Sequence, residues 1–207
     1  MSRVAIFGVG KVGTAIARAA LTAGHQVTLA GSGEAAPVQF IAEVMAPGAA
    51  AATAAEAVAD ADVVVLAIPL PKLESLDPEL LAGRVVIDAM NHWEPTDGAL
   101  PPVFAPGADT SSVVAAHLRG ARVVKALNHI GYHEMGDDAR PSGAGDRRGL
   151  AAVSDDLAAA ELAADVVASM GFDVVVATPL ALGARLEPGT EIFGDAFSAS
   201  EIRERLG

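Results

Sequence analysis

Gly8, Gly10 and Gly13 stand at GxGxxG spacing in Gly8-Val9-Gly10-Lys11-Val12-Gly13, behind the apolar run Val4-Ala5-Ile6-Phe7 and ahead of the helix-forming stretch Thr14-Ala15-Ile16-Ala17-Arg18-Ala19-Ala20-Leu21. A glycine loop between a strand and a helix suits a pyrophosphate. The first glycine permits the tight bend, the second lets backbone N–H groups approach the anion, and the third lets helix and strand pack closely. The unpaired N–H groups and the positive dipole end of the helix complete the cradle. The same residues also suit a structural turn that binds nothing; their place in the first βαβ unit favours the dinucleotide.

The type of dinucleotide follows from the end of the second strand, Val27-Thr28-Leu29-Ala30-Gly31-Ser32-Gly33. An NAD site normally carries Asp or Glu there for the ribose hydroxyls, and none is present. A 2′-phosphate would meet no carboxylate at Gly31, Ser32 or Gly33 and would accept from the Ser32 hydroxyl, so NADP is expected, with NAD as the second option. Lys11 either adds a point charge or is a solvated surface lysine, and Glu34 works against a tight phosphate site.

The loops that follow the other strands supply the remaining candidates, because ligands lie across the carboxyl ends of parallel strands. Ile68 and Pro69 either wall the cofactor or simply end a strand. Asn91 suits the nicotinamide ribose or carboxamide; Trp93, the only tryptophan, is either a stacking face or a loop anchor. Asn128, His129 and His133 lie in Asn128-His129-Ile130-Gly131-Tyr132-His133-Glu134-Met135. Two histidines four apart beside Glu134 invite a metal, but Gly131 weakens the helix that would align them and a third ligand is missing, so no metal is expected. A pocket wall with Asn128 polar and His129 or His133 facing a second ligand is the preferred reading.

No serine elbow and no glycine loop ending in Lys-Ser or Lys-Thr is present. What remains is hydride transfer, which needs two rings held face to face in a dry pocket more than a strong acid or base. No catalytic side chain is therefore assigned.

The elements that must position these residues alternate short β-branched runs with longer helical stretches, which predicts an α/β fold, Rossmann-type and doubly wound, with a mostly parallel sheet. Strands are expected near 3–8, 26–30, 62–68, 84–88, 121–126, 150–153 and 172–177, with a weak one near 48–51. Helices are expected near 11–23, 36–46, 53–60, 72–82, 111–119, 155–170 and 198–206. The connections 89–110 and 127–149 are long enough to be functional. Residues 1–177 form the dinucleotide-binding domain in this reading, and 178–207 a short C-terminal appendage closing the pocket.

The 207 residues suit one such domain, and no apolar stretch reaches the ~18 residues of a membrane span. The chain enters its first strand at once, which leads us to expect a cytoplasmic address. The absence of cysteine excludes disulfides, thiolate metal sites and cysteine nucleophiles. A net charge of −12 opposes nucleic acid, so the expected partner is a small-molecule redox substrate, and any anionic cofactor must be held by local N–H donors.

Several segments together resemble the NADPH-dependent coenzyme F-420 (deazaflavin) reductases, a family of dinucleotide-binding oxidoreductases. They are Val4 to Gly13, Gly31-Ser32, Ala67-Ile68-Pro69, Val123-Val124-Lys125-Ala126-Leu127-Asn128-His129-Ile130-Gly131, and Ala177-Thr178-Pro179-Leu180-Ala181-Leu182-Gly183-Ala184-Arg185-Leu186-Glu187. The resemblance implies reversible hydride transfer between NADP(H) and the deazaflavin, directly between stacked rings, in a homodimer. It places the second cofactor near the strand-end loops and the C-terminal segment, with Trp93, His129, His133 and Leu182 as second-substrate residues. The chain has Gly33 where the family commonly has arginine. Two other functions stay open behind this one: NADP-dependent reduction of a small carbonyl or imine, whose enzymes share the first half but usually add a large helical C-terminal domain, and redox sensing without turnover, suggested by the missing arginine and the lack of an acid-base residue.

Overall fold

The fold is described from a computed structural model covering residues 1–104 and 109–207; positions 105–108 of the long connection 89–110 lie outside the described residues. The chain alternates β1 (Arg3–Phe7), α1 (Lys11–Thr22), β2 (Gln26–Ala30), α2 (Ala35–Met45), β3 (Ala50–Ala52), α3 (Ala54–Ala59) and β4 (Val63–Leu66). A 3-10 helix (Leu70–Ser75) and α4 (Pro78–Leu81) lead to β5 (Val85–Asp88), followed by α5 (Glu94–Asp97), α6 (Thr110–His117) and β6 (Arg122–Ala126). Then come α7 (Glu134–Asp137), β7 (Gly149–Val153), α8 (Leu157–Ser169), β8 (Asp173–Ala177), a second 3-10 helix (Leu180–Leu186) and α9 (Ala199–Leu206).

The eight strands form one sheet in the order β3-β2-β1-β4-β5-β6-β7-β8, parallel at every junction except β6 with β7. The order reverses between β1 and β4, and a doubly wound sheet opens its ligand crevice at that point. Strand alternation divides the core. Val4, Ile6 and Val65 face the helices α1, α2 and α8, whereas Ala5, Phe7, Val64 and Val86 face α3, the first 3-10 helix, α4 and α6. The α/β doubly wound reading therefore holds, with the short strand at 50–52 in place.

One local expectation needs correction. The single helix expected over 72–82 is broken, because Pro78 favours an extended Asp77, whose carboxylate then caps α4 by accepting from Glu79 N. The strands β7 and β8 run opposite to β1–β6. The 127–148 connection stays at one end of the sheet, where Lys125 pairs with Val153 and Ala126 with Ala152. An antiparallel neighbour needs no crossover. The C-terminal segment then packs on β7 and β8 through Leu186, Ile192, Ile202 and Leu206.

Candidate functional site

The glycine loop has the geometry of a cradle. Gly8 adopts φ +117°, and a Cβ there would lie 2.3 Å from the Ala67 carbonyl oxygen at the end of β4. A Cβ on Gly13 would lie 2.0 Å from the Gly8 carbonyl oxygen, so the third glycine is what lets α1 touch the loop. At Gly10 a Cβ would meet nothing within 4 Å, which makes this the open side of the turn. Gly10 is also the N-cap of α1 and no side chain caps the helix, so its first N–H groups face the same opening. Val9 and Val12 pack on the core beneath, and Lys11 is exposed at the rim, its ammonium 5.6 Å from the Tyr132 ring centre.

The sheet aligns the other strand ends beside this loop. Gly8 N donates to Ala30 O, Ala67 N to Phe7 O and Ala89 N to Leu66 O, which carries the register from β2 across β1 and β4 to β5. Residues after β2 (Gly31, Ser32, Gly33), β4 (Ile68, Pro69) and β5 (Asn91) thus share one end of the sheet with the glycines. Ser32 and Gly33 are exposed, and a Cβ on Gly33 would enter open space. At Gly31 a Cβ would come within 2.9 Å of Val38 Cγ2, so the position of the usual NAD carboxylate is closed by α2.

At the end of β6, Leu127 adopts φ +63°, a left-handed turn that aims Asn128 back toward β5. Asn128 Nδ2 donates to Asn91 Oδ1 (3.1 Å) and to Leu186 O (2.6 Å), while Asn91 Nδ2 donates to Asn128 O (2.6 Å). His129 Nδ1 lies 3.2 Å from Asn128 Oδ1, and Nε2 accepts from Ala151 N (3.1 Å). The accepting Nε2 leaves the proton on Nδ1. Burial, with the charges of Arg148 and Lys125 nearby, pushes the imidazole down to about 3, so it stays neutral.

Three residues of the predicted site are bonded or packed within the fold. Asn128 is buried, with both amide hydrogens and its Oδ1 bonded inside the protein, and it orients Asn91. His129 is buried with both nitrogens bonded. Leu182 packs against the cluster on β7 and β8. Asn91 is only half-buried and retains one Nδ2 hydrogen and one Oδ1 lone pair.

Trp93 is 54% exposed at the start of α5. His133 is exposed and stacks on Tyr132 at 3.9 Å between ring centres. Both rings line a cleft of about 730 Å³ that follows the flank of α1, past Lys11 and Arg18, to Met45 and Met170. Among the residues lining it, only Lys11 belongs to the glycine loop. Arg140, Arg147 and Arg148 are engaged by Asp146, Asp173, Glu134 and Asp138. Among the described residues no three imidazoles and carboxylates come close enough to hold a metal ion, and no helix is long and apolar enough to cross a membrane.

One feature escaped the sequence reading. Asp88, the last residue of β5, and Lys125, the last but one of β6, form a fully buried ion pair, 3.2 Å apart. A charge at the last turn of a valine-rich strand was the available signal.

Comparison with known proteins agrees with this architecture. Residues 3–92 match the model of the family described as NADP oxidoreductase, coenzyme F420-dependent, which bears out the resemblance over β1 to β5. No curated protein matches the chain. Among solved structures, hypothetical protein SMa0349 from Sinorhizobium meliloti is 24% identical with TM-score 0.79 and 96% of each chain covered. A candidate F420-dependent NADP reductase from Arthrobacter sp. FB24 is 24% identical with TM-score 0.67, covering 85% of this chain and 84% of its own. A 3-hydroxyisobutyrate dehydrogenase from Mycobacterium tuberculosis is 19% identical with TM-score 0.58; the present chain covers 57% of it. These likenesses establish the doubly wound fold, and the family match relates the segment 3–92 to NADP oxidoreductases.

Proposed function

We propose that this chain is an NADP-linked oxidoreductase that transfers a hydride between NADP(H) and a deazaflavin (coenzyme F-420) or flavin-like acceptor, acting as a homodimer. The observation that carries the reading is the division of labour among the three glycines: two are closed by backbone contacts and only Gly10 opens outward. A cradle that a side chain would fill is the fit expected for a pyrophosphate.

When bound, the reduced nicotinamide would supply the hydride, and the flat acceptor would take it up together with one proton from solvent. The chain's own residues bind and orient. The N–H groups at the start of α1 hold the diphosphate, and Ser32 with the open side of Gly33 receives the 2′-phosphate. Pro69 and Ile68 wall the middle of the dinucleotide, and the spare donor and acceptor of Asn91 take the ribose or carboxamide at its far end. Trp93 offers an exposed indole face for stacking beside Asn91. No side chain is asked to move a proton, because ring-to-ring transfer depends on alignment.

The flat acceptor is supported by the exposed indole of Trp93 beside Asn91. The dimer is supported by α2, whose Phe40 and Val44 are 70% and 63% exposed. Mixing the protein with NADPH and oxidised deazaflavin tests the reading: loss of NADPH absorbance with bleaching of the deazaflavin is expected. Folded protein that binds NADPH yet leaves the deazaflavin oxidised would reject this acceptor.

A further inference from the structure

Beneath Asn91 the sheet contains two full charges that packing does not require. Asp88 and Lys125 are both 0% exposed, on a face otherwise made of Val64, Leu66, Val86 and Val123. An apolar pair of similar volume would fill the space without the cost of removing two charges from water, so a buried pair is poor evidence of a purely stabilising role. What an apolar pair cannot do is hold backbone. Lys125 Nζ donates to Met90 O at 2.7 Å, and Asp88 Oδ1 accepts from Met90 N at 3.0 Å. Both peptide groups of the residue preceding Asn91 are thereby tied to the ion pair.

The pair is itself fixed from the other side. Ser111 Oγ, in the first turn of α6, donates to Asp88 Oδ2 at 2.7 Å. The 3-10 segment Leu180–Leu186 lies on the lysine stem, where a Cβ on Gly183 would come 3.1 Å from Lys125 Cβ and Cγ. The carbonyl of Leu186, at the end of that segment, accepts from Asn128. Asn91 is thus located twice, its backbone through Met90 and its side chain through Asn128.

We propose that Lys125 and Asp88 are positioning residues that hold the turn after β5 so that Asn91 meets the nicotinamide end of a bound dinucleotide. This rests on the dinucleotide reading above. It separates two properties that a merely structural pair would not: affinity, which the glycine loop governs through the diphosphate, and placement of the ring, which Asn91 governs.

Fluorescence of NADPH titrated into the protein reports both at once, because the titration midpoint gives the affinity and the emission change gives the ring environment. In the double variant Asp88→Leu/Lys125→Met, which leaves no unpaired charge, Kd stays within about threefold of wild type while about half or more of the emission change is lost. Val123→Ala, a cavity on the same strand face, lowers stability but keeps the emission change. Asp88→Asn is the second variant should the double variant not fold. An amide must turn its NH2 toward either Met90 N–H or the donors of Ser111 and Lys125, so one side of the tether breaks and an intermediate loss is expected.

Full emission change in either folded variant would overturn the assignment. Loss of affinity and emission in parallel, in both the double variant and Val123→Ala, would also overturn it in favour of general destabilisation. No NADPH uptake by wild type would instead sink the dinucleotide reading, and this assignment with it.

Discussion

Asn91 and Asn128 exchange two hydrogen bonds across the ends of β5 and β6, Asn91 Nδ2 to Asn128 O at 2.6 Å and Asn128 Nδ2 to Asn91 Oδ1 at 3.1 Å. The exchange fixes which way both amides point, and the lock continues through Asn128 Oδ1 to His129 and Ala151. Replacing Asn128 by Ala strips partners from Asn91, His129 and the Leu186 carbonyl together. A loss of about 2–3 kcal/mol is expected, since each buried group left unpaired costs on the order of 1–3 kcal/mol. Urea denaturation measures it; a change below the error of the midpoint would show that the network carries no stability.

His129 makes stability depend on pH in a defined window. Its pKa is about 3 in the folded chain against an ordinary value of 6.5, so the unfolded chain binds the extra proton. The contribution is complete above pH ~6.5 and is lost as pH falls toward ~3, at about 1.4 kcal/mol per unit. His25 adds in the same direction: burial lowers its pKa, with Nδ1 accepting from Ser2 N. Carboxylates such as Asp156, held at about 2 by Arg122, act at lower pH. Between pH 7.5 and 5.5 the unfolding free energy of wild type should therefore fall, and that of His129→Gln should fall less. Equal slopes would mean that His129 titrates normally in the fold.

Most of the scaffold could be read directly from the residue pattern, for physical reasons that differ by element. Val63–Leu66 and Val85–Asp88 are short β-branched runs bounded by turn residues, and α1 is a strong alanine-rich helix behind its glycines, so local preference and tertiary environment agree. The direction of β7 was not legible, because it depends on where the 127–148 connection travels and not on the strand's own residues. Asn128 and His129 read as pocket residues because polar side chains after a strand usually face ligand. Their burial comes from Leu186 and Ala151, both distant in sequence. The Asp88–Lys125 pair was missed for the same reason, each half being unremarkable until the register brings β5 beside β6.

Cofactor preference can be moved at Gly33. The residue is exposed with open space at its Cβ, so Gly33→Arg adds a guanidinium without disturbing α2. The NADPH to NADH preference should rise by roughly 5- to 30-fold, the equivalent of about 1–2 kcal/mol for a charge-assisted contact. Gly31→Asp, by contrast, should not create an NAD site in place, because Val38 occupies the space. Kd ratios for the two dinucleotides decide both, and an unchanged ratio in Gly33→Arg would place the ribose elsewhere.

The three glycines should fail differently. Gly8→Ala and Gly13→Ala drive a methyl against backbone at 2.3 and 2.0 Å and should lower the melting temperature sharply. At Gly10 an added Cβ has nothing within 4 Å, so Gly10→Val should leave it nearly unchanged. Thermal unfolding of the three variants side by side gives the comparison; a collapse of Gly10→Val would mean that its side chain space belongs to the fold.

Calorimetric titration of wild type and Gly10→Val with NADPH tests the central claim most directly. One-site uptake by wild type, absent from an equally folded Gly10→Val, is the predicted result. No heat with wild type at millimolar NADPH or NADH, or undiminished binding by Gly10→Val, would contradict it.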